Sequence, residues 1–319
     1  LRPLRFRVTR SRDIRAPNVT ELFGPVMVGN SVVSDPALGG AQYIVPRTTG
    51  SNPELAAEVA NTTTVGFVRQ PDSAGALGRM KLSVDYYDID IEDSIGTLGT
   101  ITIVRRCFLG AAEYCRLTQR DTVTGRLTAV SDVLQNVNQM FTKGYDLEFS
   151  YAHPGLLFGD MEFRLLATYV KNLATTDSAG TTDRAGQTGF RAGTIPGIPE
   201  YTLDGMIDWK NGPASLSLHT RYIPSGIYNA DFIGPRQRGY NVALGNSSNI
   251  NDVPAALYFD VVGQFDFSSG SNGGIVAYAG INNIGDRDPP RRPGANTVGN
   301  NVLFDPVGRT YMLGMRFKY

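Results

Sequence analysis

The stretch Tyr201-Thr202-Leu203-Asp204-Gly205-Met206-Ile207-Asp208-Trp209-Lys210-Asn211-Gly212-Pro213-Ala214-Ser215-Leu216-Ser217-Leu218-His219-Thr220-Arg221-Tyr222 decides the fold. Tyr201, Leu203, Ile207 and Trp209 share one parity, and Thr202, Asp204, Asp208 and Lys210 share the other. A period of two belongs to a β-strand whose two faces meet different surroundings. Asn211-Gly212 is a strong two-residue turn signal, because both residues tolerate positive φ. A turn centred there pairs Trp209 with Ala214, Ile207 with Leu216, Gly205 with Leu218, Leu203 with Thr220 and Tyr201 with Tyr222. On the other face it sets Asp208 opposite Ser215, Met206 opposite Ser217, Asp204 opposite His219 and Thr202 opposite Arg221. One face is then almost wholly apolar. Pro213 falls at a strand start, where a missing N–H costs least. Tyr201 and Trp209 are eight residues apart, about 26 Å along a strand at roughly 3.3 Å per residue. At a tilt near 40° that is about 20 Å vertically, close to the roughly 25 Å apolar band between the aromatic girdles of a membrane barrel.

The same alternation recurs along the chain, in ten segments. Upstream of the hairpin lie Leu4–Ser11, a weak Thr62–Arg69, Arg79–Ile91, a fourth ending in Tyr145, Leu147, Phe149 and Tyr151, and a fifth through Met161, Phe163, Leu165, Ala167 and Tyr169. Downstream come Leu257, Phe259, Val261, Phe265 and Phe267, then Ile275 to Ile281, then Tyr311 to Tyr319. In the third segment the apolar parity changes near Tyr87, so a bulge or the end of the lipid-facing part lies there. The gaps alternate in length. Long ones span roughly 12–61, 92–138, 172–199, 223–254 and 283–305; short ones span roughly 70–78, 152–158, 211–212 and 268–273. Short turns on one rim and long loops on the other are the layout of outer-membrane barrels. If the last strand ends at the periplasmic rim, every long gap falls outside. The fold class is all-β, an antiparallel meander.

The chain has 319 residues, 30 basic and 30 acidic, and so no net charge. It lacks the basic surplus of a nucleic-acid binder. Its mean hydropathy is −0.16, which suits a soluble protein or a transmembrane barrel, where only alternate residues meet lipid. No run approaches the roughly 18 apolar residues of a membrane-spanning helix. The start, Leu1-Arg2-Pro3, has no initiator Met or signal segment and reads as cut from a longer protein. Arg and Lys near the midplane of a lipid face cost roughly 2–4 kcal/mol each, so the parity carrying Lys81, Arg164 and Arg221 faces inward. That face also carries Arg5, Arg7, Asp85, Asp146, Glu148, Glu162, Asp204, Asp208, Asp260, Asp266, Arg316 and Lys318. So many charges need a wide lumen holding water or a polar plug. Ten strands cannot close a wide barrel by themselves: either they close into a narrow one or they are a curved portion of a larger one, and the cut-looking start favours the second, with Leu4–Ser11 and Arg309–Tyr319 as unpaired edges.

Several stretches resemble one family. Ser11-Arg12-Asp13-Ile14-Arg15-Ala16-Pro17-Asn18 with Glu21-Leu22-Phe23 is similar to the strand-to-loop motif of TonB-dependent receptors. Asn52-Pro53-Glu54-Leu55 with Glu58 and Thr64-Val65-Gly66-Phe67 resembles the strand that follows. Ser83-Val84-Asp85-Tyr86-Tyr87-Asp88-Ile89 and Lys143-Gly144-Tyr145-Asp146-Leu147 resemble later strands. Ile281-Asn282-Asn283 with Asp286-Arg287 is similar to the penultimate strand, although Ile284-Gly285 departs from the usual Leu-Phe. Gly308-Arg309-Thr310-Tyr311 and Phe317-Lys318-Tyr319 resemble the closing strand. The resemblance covers the whole chain. It implies that residues 1–319 are the C-terminal portion of a 22-stranded barrel in the Gram-negative outer membrane, with the plug domain and early strands outside this sequence. The activity implied is TonB-energised uptake of a scarce or bulky solute of the siderophore, cobalamin or oligosaccharide class, with no enzymatic step. The implied partners are the TonB complex through the plug region, outer-membrane lipid and lipopolysaccharide, the small solute, and the assembly machinery that reads Phe317 and Tyr319. No cofactor is expected.

Other residues carry narrower expectations. Cys107 and Cys115 lie in an outer gap, in an oxidising compartment, and are expected to form a disulfide that stiffens a ligand-facing loop. Their spacing does not suit zinc, and no His lies nearby, so no metal site is expected. His153 precedes Pro154 in a short turn and is expected to be solvated. His219 opposite Asp204 reads either as a lumen ion pair or as the catalytic pair of a ten-stranded barrel hydrolase; no nucleophile accompanies it. Arg12, Asp13, Arg15 and Glu21 either brace a loop or hold an anionic ligand. Arg287, Arg291 and Arg292 among Pro289, Pro290 and Pro293 make a basic, stiff outer loop that either touches lipopolysaccharide phosphate or ligand or is simply solvated. Tyr43, Tyr228, Phe232 and Tyr240 are candidates to stack on a solute. A third reading, a soluble β-domain, places Trp209, Phe259, Phe265 and Phe317 in a packed core.

Overall fold

The computed structural model describes residues 4–70, 75, 79–177, 180–189, 191–192, 195–196, 198–244, 246–267, 274–291, 300 and 302–318. Strand β1 (Leu4–Arg15) leads into the loop hairpin β2 (Met27–Asp35) and β3 (Ala41–Thr49), followed by β4 (Glu58–Arg69) and β5 (Met80–Gly96). Two short strands, β6 (Thr118–Arg120) and β7 (Leu127–Ser131), precede the long β8 (Gln135–Leu156) and β9 (Gly159–Asp177), with β10 (Gly180–Asp183) folded back on β9. The remainder is β11 (Arg191–Ala192), β12 (Ile195–Pro196), β13 (Tyr201–Asn211), β14 (Ala214–Ile223), β15 (Gly226–Ile227), β16 (Asp252–Val253), β17 (Ala256–Asp266), β18 (Gly274–Asn282) and β19 (Thr310–Lys318). Three α-helices sit in the outer loops: α1 (Val19–Phe23), α2 (Thr100–Phe108) and α3 (Ala112–Cys115).

Ten strands make one antiparallel wall in the order β1-β4-β5-β8-β9-β13-β14-β17-β18-β19. These are the ten alternating segments, most of them longer than the alternation showed. The path is open: β1 and β19 end it and do not pair with each other.

The decisive hairpin forms with a register two residues away from the expected one. Asn211 pairs with Ala214, Trp209 with Leu216, Ile207 with Leu218 and Leu203 with Tyr222. The turn is therefore centred on Gly212-Pro213. In a two-residue hairpin the residue closing the turn donates its N–H back across it, and Pro213 has none. Moving the turn one position along makes Ala214 the closing residue. Gly212 takes φ +54, and proline's fixed negative φ beside it suits a type II′ turn. A shift of two preserves parity, so both faces keep their composition. His219 now stands opposite Met206 rather than Asp204.

On the outer face, Tyr86, Tyr145, Tyr169 and Tyr201 are successive cross-strand partners over four adjacent strands. This row is one aromatic girdle. The apolar switch in β5 marks the same boundary. Pairing runs unshifted from Val59–Glu92 to Arg69–Leu82 on one side and from Met80–Tyr151 to Glu92–Gln139 on the other, so there is no bulge at Tyr87. Beyond the tyrosines the outer face is wet: Asp88 meets Lys143 at 3.9 Å and Asp90 accepts from Gln139 at 2.7 Å. Phe259, Leu313 and Phe317 are 37%, 86% and 57% exposed; a packed soluble core would bury them.

The inner face is a lattice of charges. Arg7 grips Asp85 with Nε–Oδ1 2.8 Å and Nη2–Oδ2 2.6 Å, spanning the intervening β4 at Gly66. A Cβ on Gly66 would collide with both side chains. Arg164 donates to Glu148 at 2.7 Å, Thr168 to Asp146 at 2.8 Å, and Ser217 to Asp208.

The hydrophobic core lies mostly above the wall, in the outer loops. The first module joins two loops that are far apart in sequence: β2, β3, β7 and β6 form a four-stranded sheet in that order. Its core is Val33, Val45, Ile103, Val104, Tyr114, Leu127 and Val130. Thr100, Ile103, Val104 and Cys107 recur at helical spacing, which turns one stripe of α2 into that core. A second module buries Ile223, Tyr228, Val253, Ala256, Tyr258 and Phe304. On the opposite rim, β8 and β9 are joined by a turn at Leu157-Phe158, where both residues take positive φ. Most of the short gap 70–78 and all of 268–273 lie outside the described residues.

Candidate functional site: the outer loop cap and the lumen face

Buried carboxylates hold the loop modules together. Asp132 is fully buried and accepts from the backbone N–H of Leu98 (3.1 Å) and Gly99 (3.0 Å) just before α2, while Arg47 approaches at 2.8 Å. α2 has no side-chain cap of its own, so Asp132 anchors its start from a neighbouring strand end. Asp35, also fully buried, receives Arg120 at 2.8 and 2.9 Å and the Tyr43 hydroxyl at 2.5 Å. Burial pushes the Asp35 carboxyl up, but Arg120 and Tyr43 outweigh it and hold the group below its ordinary range.

A third carboxylate links the modules. Asp231, in the loop between β14 and β17, receives Arg105 of α2 at 3.1 Å and Arg184, from the loop between β9 and β13, at 2.9 Å. Burial raises its pKa and the two guanidiniums lower it further, so the net direction is down. Arg184 also donates to the buried Gln187 at 3.1 Å. The tip of the β2–β3 hairpin reaches the same loop, and a Cβ on Gly40 would come within 2.8 Å of Ala243 Cα. The loop after β18 joins through Tyr228, whose hydroxyl donates to the Arg291 carbonyl, and through Asn300, which donates to the Thr188 carbonyl at 3.1 Å. All five outer loops are thus in contact. Strands β4 and β14 are five ladder spacings apart, roughly 24 Å at about 4.8 Å each. Their loops touch only by leaning across the mouth.

Below this cap His219 sits between two carboxylates, with Nε2 3.5 Å from Asp204 and Nδ1 3.4 Å from Asp260. Asp260 also accepts the Asn283 N–H at 2.7 Å. An open pocket of about 250 Å³ beside them is lined by Arg221, Tyr258, Asp260, Asn282, Asn283 and Asp305, among others. His219 bridges three strands through the two carboxylates, and among the described residues it is bonded to no serine, threonine or cysteine. Among the described residues no cluster of three or more His, Cys, Asp or Glu side chains could hold a metal ion.

Several sequence-selected residues make contacts within the protein. Arg15 pairs with Glu58 (2.5 Å) and Glu21 (3.0 Å), and Asn18 with Glu21 forms a capping box on α1, contacts that suit a brace at the rim. Tyr43 is tied to Asp35, with Arg126 4.2 Å above its ring. Tyr228 is buried in the second core. Phe232 and Tyr240 are half-buried, and Arg291 is exposed. Cys107 and Cys115 are joined, with Cα atoms 4.6 Å apart, at the α2–α3 corner. His153 is not in a turn; it lies on β8, half-buried against Tyr151. Phe317 is exposed on β19, and Tyr319, Arg292 and Pro293 lie outside the described residues. Sequence reasoning missed Arg105, Asp132, Arg184 and Asp231. The helical spacing of Thr100 to Cys107 was a legible signal for α2; ion pairs between distant loops leave none.

The family described as TonB dependent receptor-like, beta-barrel matches residues 2–284. Among curated proteins, no sequence matches the chain. Solved structures of similar shape include the siderophore receptor PirA from Acinetobacter baumannii, with TM-score 0.59 and 15% identity over 99% of this chain and 39% of that one. A mutant of the ferric enterobactin receptor from Pseudomonas aeruginosa aligns with TM-score 0.60 and 15% identity over 100% of this chain and 38% of that one. The copper transporter OprC aligns at 0.54 and 15% over 99% and 37%. At such identities the likeness speaks for the fold. The chain spans about two fifths of the length of the solved receptors it matches.

Proposed function

This chain belongs to the TonB-dependent receptor-like β-barrel family of the outer membrane, and from that premise we propose that residues 1–319 are the C-terminal barrel portion of a receptor that imports a scarce or bulky solute with energy delivered through TonB. In this reading the rest of the receptor supplies the earlier strands of a 22-stranded wall and a plug in the polar lumen. The outer loops and the plug bind the solute, TonB displaces the plug, and the solute passes inward along the charged face. The wall performs no bond chemistry. The observation that carries the reading is the pairing of a lipid-suited outer face with an inner face of ion pairs, roofed by interlinked loops. A lumen dense in partly exposed charge stays wet or meets a polar plug, and either makes a conduit.

Barrels of similar shape include siderophore receptors, so ferric siderophores head the panel of solutes, followed by cobalamin and oligosaccharides. The test is uptake of each labelled solute by cells that carry only this receptor, with and without TonB. One solute is expected to accumulate in a manner that needs both proteins. Accumulation at an undiminished rate in cells lacking TonB would refute energised transport.

A further inference from the structure

We propose that Arg105, Asp231 and Arg184 form a clasp that holds the outer cap closed over the lumen, so that breaking it opens the barrel mouth to the outside. The inference rests on the reading of this chain as a transport barrel and adds a gate to it.

The two loop modules have separate hydrophobic cores: Val33, Ile103 and Leu127 belong to one, Tyr228, Val253 and Phe304 to the other. Among the described residues the two cores are separate clusters, and the clasp between them is polar. Arg105 comes from the first module, Asp231 lies in a loop of the second, and Arg184 lies in the β9–β13 loop, which is hydrogen-bonded to the second through Gly186, Thr188 and Ile227. Each module keeps its shape through its own core, so the polar seam is where the cap parts at least cost. Asp231 is well placed for this role. One carboxylate oxygen takes Arg105 and the other takes Arg184, so a single side chain ties three loops. Its backbone is fixed as well, since its carbonyl accepts from Asn246 at 2.7 Å and its N–H donates to Asn229 at 2.9 Å. All three side chains are only 11–15% exposed, which keeps water from screening the pair. Beside the clasp, Gly40 of the first module also meets Ala243 in the loop of the second.

The test reads the mouth directly, without needing the solute. In the full-length receptor on intact cells, Thr202→Cys places a thiol on the lumen face near the outer rim, and a membrane-impermeant maleimide reports its access from outside. Cys107 and Cys115 are joined, and any cysteine elsewhere in the receptor is first replaced by Ser, so the new thiol is the reactive one. Val123→Cys, at a 91% exposed loop position, serves as the control. Asp231→Asn is expected to speed labelling at position 202 at least tenfold, with position 123 unchanged and the barrel still heat-modifiable on gels. Asp231→Glu should restore slow labelling. If Asp231→Asn fails to assemble, Arg105→Gln, which frees only the first module, carries the same expectation. Equal labelling rates in an assembled Asp231→Asn or Arg105→Gln receptor would overturn the clasp. A receptor that imports nothing would instead refute the transport reading and leave the labelling result to decide the gate.

Discussion

Leu165 and Leu166 are neighbours on β9 with nearly equal exposure, 37% and 41%, yet replacing each with Arg should have opposite consequences. Leu165 stands between Phe149 and Gly205 on the outer face, whereas Leu166 stands between Glu148 and Asp204 on the inner one. Four residues above Leu165 is Tyr169 of the girdle, and four below is Met161, the cross-strand partner of Trp209. Four residues make about 13 Å of strand, or about 10 Å vertically at a 40° tilt, so Leu165 lies near the midplane. An Arg there costs roughly 2–4 kcal/mol on the lipid face, a 25- to 700-fold change in the folding equilibrium at about 1.4 kcal/mol per tenfold. At position 166 the guanidinium enters the lumen beside two carboxylates, and the expected cost is below about 1 kcal/mol. Urea unfolding of the full-length receptor in lipid vesicles measures both. Equal penalties for Leu165→Arg and Leu166→Arg would refute the assignment of faces, because a soluble sheet with such similar exposures treats the two alike.

Further tests probe the loops. Asp132→Ala removes the acceptor for Leu98 and Gly99 and leaves Arg47 without its partner; it should speed amide exchange in α2 by an amount equivalent to about 2–4 kcal/mol while exchange in the wall strands stays unchanged. Reducing the Cys107–Cys115 bond opens a ring of sequence separation 8, and the chain-entropy model gives about 2.6 kcal/mol, to be read as faster exchange confined to the first module. The Asp231 carboxyl is held below its ordinary value, so its contribution is complete above the unfolded pKa of about 3.9 and is lost as pH falls through the lower folded value. Limited proteolysis of the 224–255 loop should therefore stay slow from neutral pH to about pH 4 and accelerate below it; a transition near pH 6 would contradict this origin.

Much of the architecture was legible because a transmembrane wall repeats one rule. Hydrocarbon on one side and water on the other impose strict alternation, and the chain must cross between short turns and long loops. Tyr86 to Tyr201, Arg164 and Leu313 all obey that rule from their own positions. The turn of the central hairpin was read one residue early because Asn211-Gly212 is a strong local signal, and the missing N–H of Pro213 decides only when pairing is considered. The apolar switch at Tyr87 was visible, but its cause, a membrane boundary rather than a bulge, needed the register with β4 and β8.

The loops were another matter. Nothing in the sequence says that Arg15, Tyr43 and Tyr228 will meet Glu58, Asp35 and Phe304. Strands β3 and β7 are separated by dozens of residues and a pair of wall strands, and only their pairing at Arg47–Val130 creates the first module. The sequence by itself determined a wall of ten strands, its two faces and the side on which the loops stand, because each follows from period-two patterning and the cost of charge in lipid. Tertiary structure alone decided how the loops meet across the mouth and that Asp231 joins them. Those contacts are single encounters between distant segments, and a single encounter leaves no period to read.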